Sequence, residues 1–300
     1  MNDTSGPAVV VGVDGSDSAL DAVRWAATEA DRRGAALRLV EAVPWTVYTS
    51  IGVPQLGADY QRRVLTEAAE QHLKAASEAA RQTRAEITVT TEVRGGDAAP
   101  VLRDEATSAL MIVVGTRGLG GFTGLLLGSV ATAVAAHAAA PVVVVRGGGA
   151  QREPVAPVLV GVDGGPEGEA ALAFAFDEAA RRQAPLVAVH TWGDPITDPY
   201  LAGYVDWPVV EADEQRILDD ALAAWTAKHP EVPVERIVVR ARPAAALVER
   251  SRDAGLVVVG SRGRGTVRGA LLGSVGQAVL RHADAPVAVV RPEAALEQQE

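Results

Sequence analysis

Gly115-Thr116-Arg117-Gly118, nine residues, then Gly128-Ser129 is the stretch on which the fold of this chain turns. It follows directly on the apolar run Leu110 to Val114 and leads into the alanine-rich segment Val130 to Ala138. The first reads as a buried strand and the second as a helix. A strand feeding a glycine-rich loop that ends at a helix N-terminus gathers backbone N–H groups around phosphate. The glycines let main chain approach the anion, and the helix start adds unpaired donors and positive dipole. One such loop is a weak signal, because glycine-rich turns after strands are common. Here it occurs twice. Leu256 to Val259 leads into Gly260-Ser261-Arg262-Gly263, nine residues, and Gly273-Ser274, at a constant offset of 145.

Other landmarks repeat around these loops. VVGVDG (10 to 15) returns as LVGVDG (159 to 164), and APVVVVR (140 to 146) as APVAVVR (285 to 291). Trp25 is matched by Phe174, Glu29 by Glu178, and Arg32-Arg33 by Arg181-Arg182. The offset falls from 149 to 145 between the first landmark and the glycine loop. The missing residues therefore lie in the middle of the second half, where loops tolerate length change. The repeat divides the chain into domains at 1–146 and 157–291, with a Gly-rich linker at 147–156 and a tail at 292–300.

Taken in order, the first half alternates strand and helix. Ala8 to Val13 is a strand that ends at Asp14-Gly15-Ser16-Asp17, a turn whose Ser or Asp can cap the next helix. Ala19, Ala22, Val23, Ala26, Ala27 and Ala30 put an apolar stripe on that helix, and Gly34 closes it. Strand Leu37 to Val43 precedes a loop from Pro44 to Ala58. A long amphipathic helix follows over Asp59 to Arg84, with apolar residues at 60, 64, 65, 68, 69, 73 and 76. Strand Glu86 to Val93, helix Asp97 to Thr107 and strand Leu110 to Val114 lead to the glycine loop, and Pro141 to Val145 ends the half. The second half has its own long loop, Trp192 to Pro208, and a helix over Val209 to Lys228. Strands alternating with helices require right-handed crossovers and a parallel sheet in each half, with ligands at the strands' carboxyl ends. Asp14 and Gly115 both fall there.

Composition narrows the function. Hydrophobic content is 48% but aromatic content only 4%, so the cores are aliphatic, as parallel sheets covered by helices demand. A net charge of −10 argues against nucleic acid or anionic membrane held by bulk electrostatics. The absence of cysteine excludes thiol chemistry, disulfides and Cys-ligated zinc. No apolar stretch approaches the ~20 residues that span a bilayer, and a cytoplasmic location is expected.

Neither glycine loop contains Gly-Lys-Ser/Thr, so neither is a Walker A motif. Each follows the fourth strand of its half and not the first, so neither is a Rossmann fingerprint. The two copies of Gly-x2-Gly-x9-Gly-Ser, with the Gly-Val-Asp turn after the first strand, resemble the ATP-binding branch of the universal stress protein family. More narrowly, the chain resembles the tandem two-domain members found in actinobacteria. The resemblance implies an α/β fold of two tandem doubly wound domains, adenine nucleotide alpha hydrolase-like, each with a five-stranded parallel sheet flanked by helices. It implies ATP, with Mg2+, as ligand and a regulatory role in stress response or growth control. It places adenine and ribose near Asp14 and the end of the second strand around Ala42, and phosphates on Gly115, Arg117, Gly118, Gly128 and Ser129, with Gly12, Val13, Ser16 and Val130 also among the binding residues. In the second half the matching positions are Gly161, Val162, Asp163, Thr191, Gly260, Arg262, Gly263, Gly273, Ser274 and Val275. It implies that the last strands of the halves pair in an intramolecular pseudo-dimer, a homodimer remaining open.

Against a ligand role, Asp14 and Asp163 also suit a helix cap. The halves differ locally: Ser16 and Asp17 become Gly165 and Pro166, while the second loop carries Arg262, Arg264 and Arg268 against the single Arg117. His137 and His282 read as cations at helix C-termini, and His72, His190 and His229 lack ligand spacing. Trp45, Trp192 and Trp207 beside the long loops either line a pocket or pack. Three functions compete: a nucleotide-binding regulator, a slow ATP-hydrolysing or phosphate-transferring enzyme, and an interaction module with vestigial loops. The loops lack a general base and a phosphate-directed lysine, which disfavours the second. Two intact loops disfavour the third.

Overall fold

Runs of valine and leucine that neither alternate nor break can only be satisfied by a sheet covered on both faces. Val9, Val11, Met111, Ile112 and Val113 are wholly buried in the first half, and Val158, Val160, Leu256, Val257 and Val258 in the second. The computed structural model describes residues 7–44, 58–118, 127–147, 155–193, 206–263 and 272–292. The chain divides into two compact units, Met1–Gln151 and Arg152–Glu300.

In the first unit the elements run β1 (Val9–Val13), α1 (Asp17–Arg33), β2 (Leu37–Val43), α2 (Ala58–Thr83), β3 (Val89–Gly95), α3 (Ala98–Glu105), β4 (Met111–Gly115), α4 (Ser129–His137) and β5 (Val142–Val145). All paired strands are parallel, in the order β3-β2-β1-β4-β5. The second unit repeats this with β6 (Val158–Val162), α5 (Glu169–Arg182), β7 (Leu186–Trp192), α6 (Trp207–Lys228), β8 (Val234–Arg240), α7 (Pro243–Arg250), β9 (Leu256–Gly260), α8 (Ser274–His282) and β10 (Val287–Val290). Its strand order is β8-β7-β6-β9-β10, again parallel. Each chain path runs outward from the first strand, returns, and runs out on the other side. The order therefore reverses between β1 and β4, and between β6 and β9, opening a crevice at their carboxyl ends.

The alanine stripe of α1 is buried as the spacing predicts, joined by Trp25 and by Glu29, which has no exposed surface. Arg33 Nε holds the Glu29 carboxylate at 2.9 Å, and Arg182 Nε holds Glu178 at the same distance in the second unit. Both pairs are almost completely buried, so removing one partner would strand a charge.

Three sequence expectations shift. Tyr60 and Val64 continue the apolar period of α2 in sequence but are 46% and 43% exposed; the buried stripe runs through Ala69, Leu73, Ala76 and Ala80. The third strand starts at Val89, since Leu37 pairs with it and Ile87 closes a turn back to Arg84. Trp207 and Pro208 belong to α6 and not to the loop before it, because proline in a first helical turn gives up only an amide that has no helical partner. The loop residues 45–57, 119–126, 194–205 and 264–271, with Trp45, Arg264 and Arg268, lie outside the described residues.

Candidate nucleotide-binding sites

The site in the first unit is assembled from three chain segments. β1 delivers Gly12, Val13 and Asp14 to the crevice. Asp14 Oδ1 accepts from Ser16 N at 3.1 Å and from Ser16 Oγ at 2.6 Å. Ser16 Oγ in turn accepts from Ala19 N at 3.2 Å. Ser16 is thus the N-cap of α1, and Asp14 shapes the turn before it, which decides against Asp14 as the cap. The glycine loop comes up against this turn: Arg117 N donates to Ser18 Oγ at 3.4 Å. A side chain on Gly118 would place its Cβ 2.1 Å from Asp14 Oδ2, and one on Gly115 would meet the Ser18 carbonyl oxygen at 2.6 Å. Glycine at both positions is what allows this approach.

The loop then closes on itself. Gly128 N donates to Thr116 O at 2.7 Å, and Gly273 N to Ser261 O at 2.8 Å. These two amides therefore complete the loop and are not available to a phosphate. The donors that remain are at the start of the next helix. The first intrahelical bonds are Thr132 N to Gly128 O and Gln277 N to Gly273 O, leaving the amides of Ser129, Val130 and Ala131, and of Ser274, Val275 and Gly276, without helical partners. That helix start, with its dipole, faces the cavity and suits an anion.

A cavity of about 260 Å³ in the first unit is lined by ten of the eleven expected residues: Gly12, Val13, Asp14, Ala42, Gly115, Arg117, Gly118, Gly128, Ser129 and Val130. Ser16, the cap of α1, does not line it. All ten expected residues of the second unit line a larger cavity of about 650 Å³: Gly161, Val162, Asp163, Thr191, Gly260, Arg262, Gly263, Gly273, Ser274 and Val275. There the turn is looser. Asp163 Oδ1 accepts from Gly165 N at 2.9 Å, no hydroxyl caps the helix, and a single 3-10 turn over Pro166–Gly168 precedes α5.

Several lining residues gave no signal in the sequence. Leu102 and Leu247 fill the floor so tightly that a Cβ on Gly12 or Gly161 would come within 2.8 and 2.9 Å of their methyl groups. Such a contact between distant segments leaves no local pattern. His190 donates from Nδ1 to Val162 O at 2.8 Å, and its Nε2 lies 2.6 Å from Glu214 Oε2. Both residues line the second cavity. The first unit has an acid–imidazole pair too, with the strand and helix roles exchanged: Glu41 of β2 lies 3.0 Å from His72 Nδ1 on α2. Burial pushes the Glu41 carboxyl above its usual range; the hydrogen bond and charge of His72 oppose this, and nearby Asp14 adds to it. His137 ends α4 and contacts the Ala133 carbonyl, in keeping with the helix-end reading.

Among the described residues no group of three or more histidines and carboxylates could hold a metal ion. No described helix is long and apolar enough to cross a membrane.

The family model described as the universal stress protein family matches twice, over residues 7–146 and 155–291. The chain belongs to that family. A universal stress protein of Mycobacterium tuberculosis is 41% identical over 291 residues, covering 94% of this chain and 96% of the relative. One from Mycolicibacterium smegmatis is 41% identical over 287 residues, covering 95% and 97%. Among solved structures, a universal stress protein from Archaeoglobus fulgidus superposes with a TM-score of 0.68 at 20% identity, covering 96% of this chain and 99% of that one. At that identity the likeness speaks for the fold alone.

Proposed function

We propose that this universal stress protein is an ATP-binding regulator with one adenine-nucleotide site in each unit, at 1–146 and 157–291, and with little or no catalysis. The observation that carries the reading is the duplicated cavity itself. At the same switch point in both units, a glycine loop, an exposed helix start and an aspartate meet around one cavity. In this reading Ser129 and Ser274 donate to phosphate, the amides after them cradle it, and Asp14 and Asp163 accept from ribose hydroxyls. ATP, carried with Mg2+, stabilises one conformation for a protein partner in stress response or growth control.

The test is calorimetric titration of ATP, with an expected stoichiometry near two per chain, repeated on Gly118→Glu, Gly263→Glu and the double variant. A carboxylate beside a polyanion at an effective dielectric of ~20 costs a few kcal/mol. A loss of about 3 kcal/mol is more than a hundredfold in affinity. Each single variant should remove one site and the double variant both, with circular dichroism unchanged. A folded double variant that still retains ATP overturns the site assignment. Turnover of roughly 1 per second or more, the ordinary kinase range, would overturn the regulatory reading.

A further inference from the structure

The two cavities differ most at the end away from the glycine loop. β2 and β7 are both seven residues long and pair with β1 and β6 in the same register, so Trp192 stands where the first unit has Val43. The first cavity takes Val40 and Ala42 from β2, which lie on one face of the strand. The second takes His190 and Trp192, on the opposite face, as well as Val189 and Thr191. It also reaches α6, through Val210 and Glu214. The second cavity thus extends around the end of its strand, where Trp192 is.

Trp192 is 8% exposed. Its indole Nε1 is buried and has no hydrogen-bond partner among the described residues. A buried indole N–H ordinarily finds an acceptor, and leaving one unmet is unfavourable, so the exception calls for an explanation. Slack packing does not supply one. The Trp207 ring stacks on Trp192 with centroids 5.9 Å apart, and the Arg240 guanidinium lies 5.7 Å from the Trp192 centroid and 4.2 Å from that of Trp207. Arg240 pairs with Trp192 across the sheet where the first unit pairs Gly95 with Val43, so among the described residues the first unit has no counterpart of this clamp. The clamp holds the indole in one orientation, which lowers the entropy lost when a ligand meets it.

We propose that the Trp192 N–H donates a hydrogen bond to the heterocyclic base of a nucleotide in the C-terminal cavity. The two sites of the chain are then unequal, and the C-terminal one binds the tighter. The inference rests on the nucleotide reading above. With phosphates at the loop after β9, the base comes to β7, since only β6 lies between them. Two strand spacings are about 10 Å, the reach from the phosphates of a nucleotide to its base. Every purine base carries ring-nitrogen acceptors for such a donor, and Val43 offers none.

The experiment is titration of the full chain with ATP, comparing wild type with Trp192→Phe, which keeps an aromatic ring for the stack and removes the N–H. Wild type should show two steps of unequal affinity. In Trp192→Phe the tighter step should weaken about tenfold, equivalent to 1.4 kcal/mol, with the weaker step unchanged. If wild type takes up no ATP, the nucleotide reading itself fails. If it takes up two and Trp192→Phe keeps both affinities, only the Trp192 assignment fails. Should Trp192→Phe not fold, the indole N–H signals of the five tryptophans in nitrogen-15-labelled wild type decide. One signal moving downfield and exchanging more slowly with ATP, in wild type and Gly118→Glu but not in Gly263→Glu, supports the proposal. No indole signal responding overturns it.

Discussion

The two units share a backbone plan and differ in what holds its cover in place. In the first, α3 is tied to the sheet by charge. The Glu105 carboxylate, 7% exposed as a residue, accepts from Arg38 Nε at 2.9 Å and from Arg94 Nη1; Arg38 also reaches Glu92, and Arg94 holds Asp104 at 2.7 Å. At the corresponding positions of the second unit stand Val187, Ile237, Val239 and Arg250, so that the same junction between β7, β8 and α7 is largely apolar. What is invariant is the set of positions where main chain must turn or come close: Gly12 and Gly161, Gly115 and Gly260, Gly118 and Gly263. What has diverged is side-chain chemistry away from them. A buried ionic network and a packed apolar patch can serve one junction, because replacing the first by the second is often neutral or stabilising. Breaking the network from one side is not.

That asymmetry gives the largest expected effect on stability. Glu105→Ala leaves Arg38 and Arg94 facing each other without their shared carboxylate. Loss of one partner from a fully buried pair costs about 3–5 kcal/mol. Here Arg38 and Arg94 keep 33% and 31% of their side-chain surface exposed, so solvent screens part of the penalty and about 2–3 kcal/mol is expected. Arg250→Ala at the matching place should cost well under half as much. Urea unfolding of the two variants checks this. Equal losses would mean that charge does not distinguish the junctions.

The acid–imidazole pair of the first unit makes stability depend on pH through Glu41. Glu41 has a raised folded pKa, caused first by burial, with Glu41 Oε2 buried and lacking a hydrogen-bond partner among the described residues. Below the ordinary value of 4.5 the group is protonated folded and unfolded, and contributes no difference. As pH rises above that value, the folded state keeps a proton that the unfolded state has lost, so stability falls until the raised pKa is passed. Glu41→Gln is neutral in both states and should escape the fall. Its unfolding free energy minus that of wild type should therefore be larger at pH 7 than at pH 4, the variant gaining stability relative to wild type as pH rises. A constant difference between those pH values would show that the carboxyl is not perturbed.

The sequence disclosed the sheet and the loops because their causes are local. Unbroken aliphatic runs can only be buried strands, and a glycine at each close approach marks the loop at either offset. Twenty of the 21 residues expected from the sequence line the two cavities, whereas Leu102, His190, Glu214 and Leu247 line them without a sequence signal. Helix α2 was misread in its first turns, since Tyr60 and Val64 continue an apolar period that the sheet no longer reaches to cover. Pro208 reads as a loop residue in sequence because a proline starting a helix and one ending a loop look alike there. The Arg38–Glu105–Arg94 cluster and the clamp on Trp192 were invisible for another reason. Each joins residues from separate elements, and only the register of β2 on β3, or β7 on β8, brings them together.

The smallest effect tests whether the matching helix ends of the two units are equivalent. Helix α1 ends at Gly34, with φ 60° and ψ 28°, and α5 ends at Gln183, with φ 51° and ψ 41°. Gln183 is the one non-glycine residue with positive φ among those described. The left-handed conformation costs a residue with a Cβ about 1–2 kcal/mol. Glycine avoids that cost but loses more entropy on folding, by roughly 0.5–1 kcal/mol. The difference favours Gln183→Gly by about 0.5–1 kcal/mol. The converse, Gly34→Gln, isolates the backbone contribution, because a Cβ at Gly34 would meet nothing within 4 Å. It should destabilise by a similar amount, and the two changes made together should nearly cancel, their sites being in separate units. Thermal unfolding of the two single variants and the double variant checks both sign and additivity. If Gln183→Gly does not raise the midpoint, contacts of the glutamine side chain outweigh the strain, and the two helix ends are alike only in their dihedral angles.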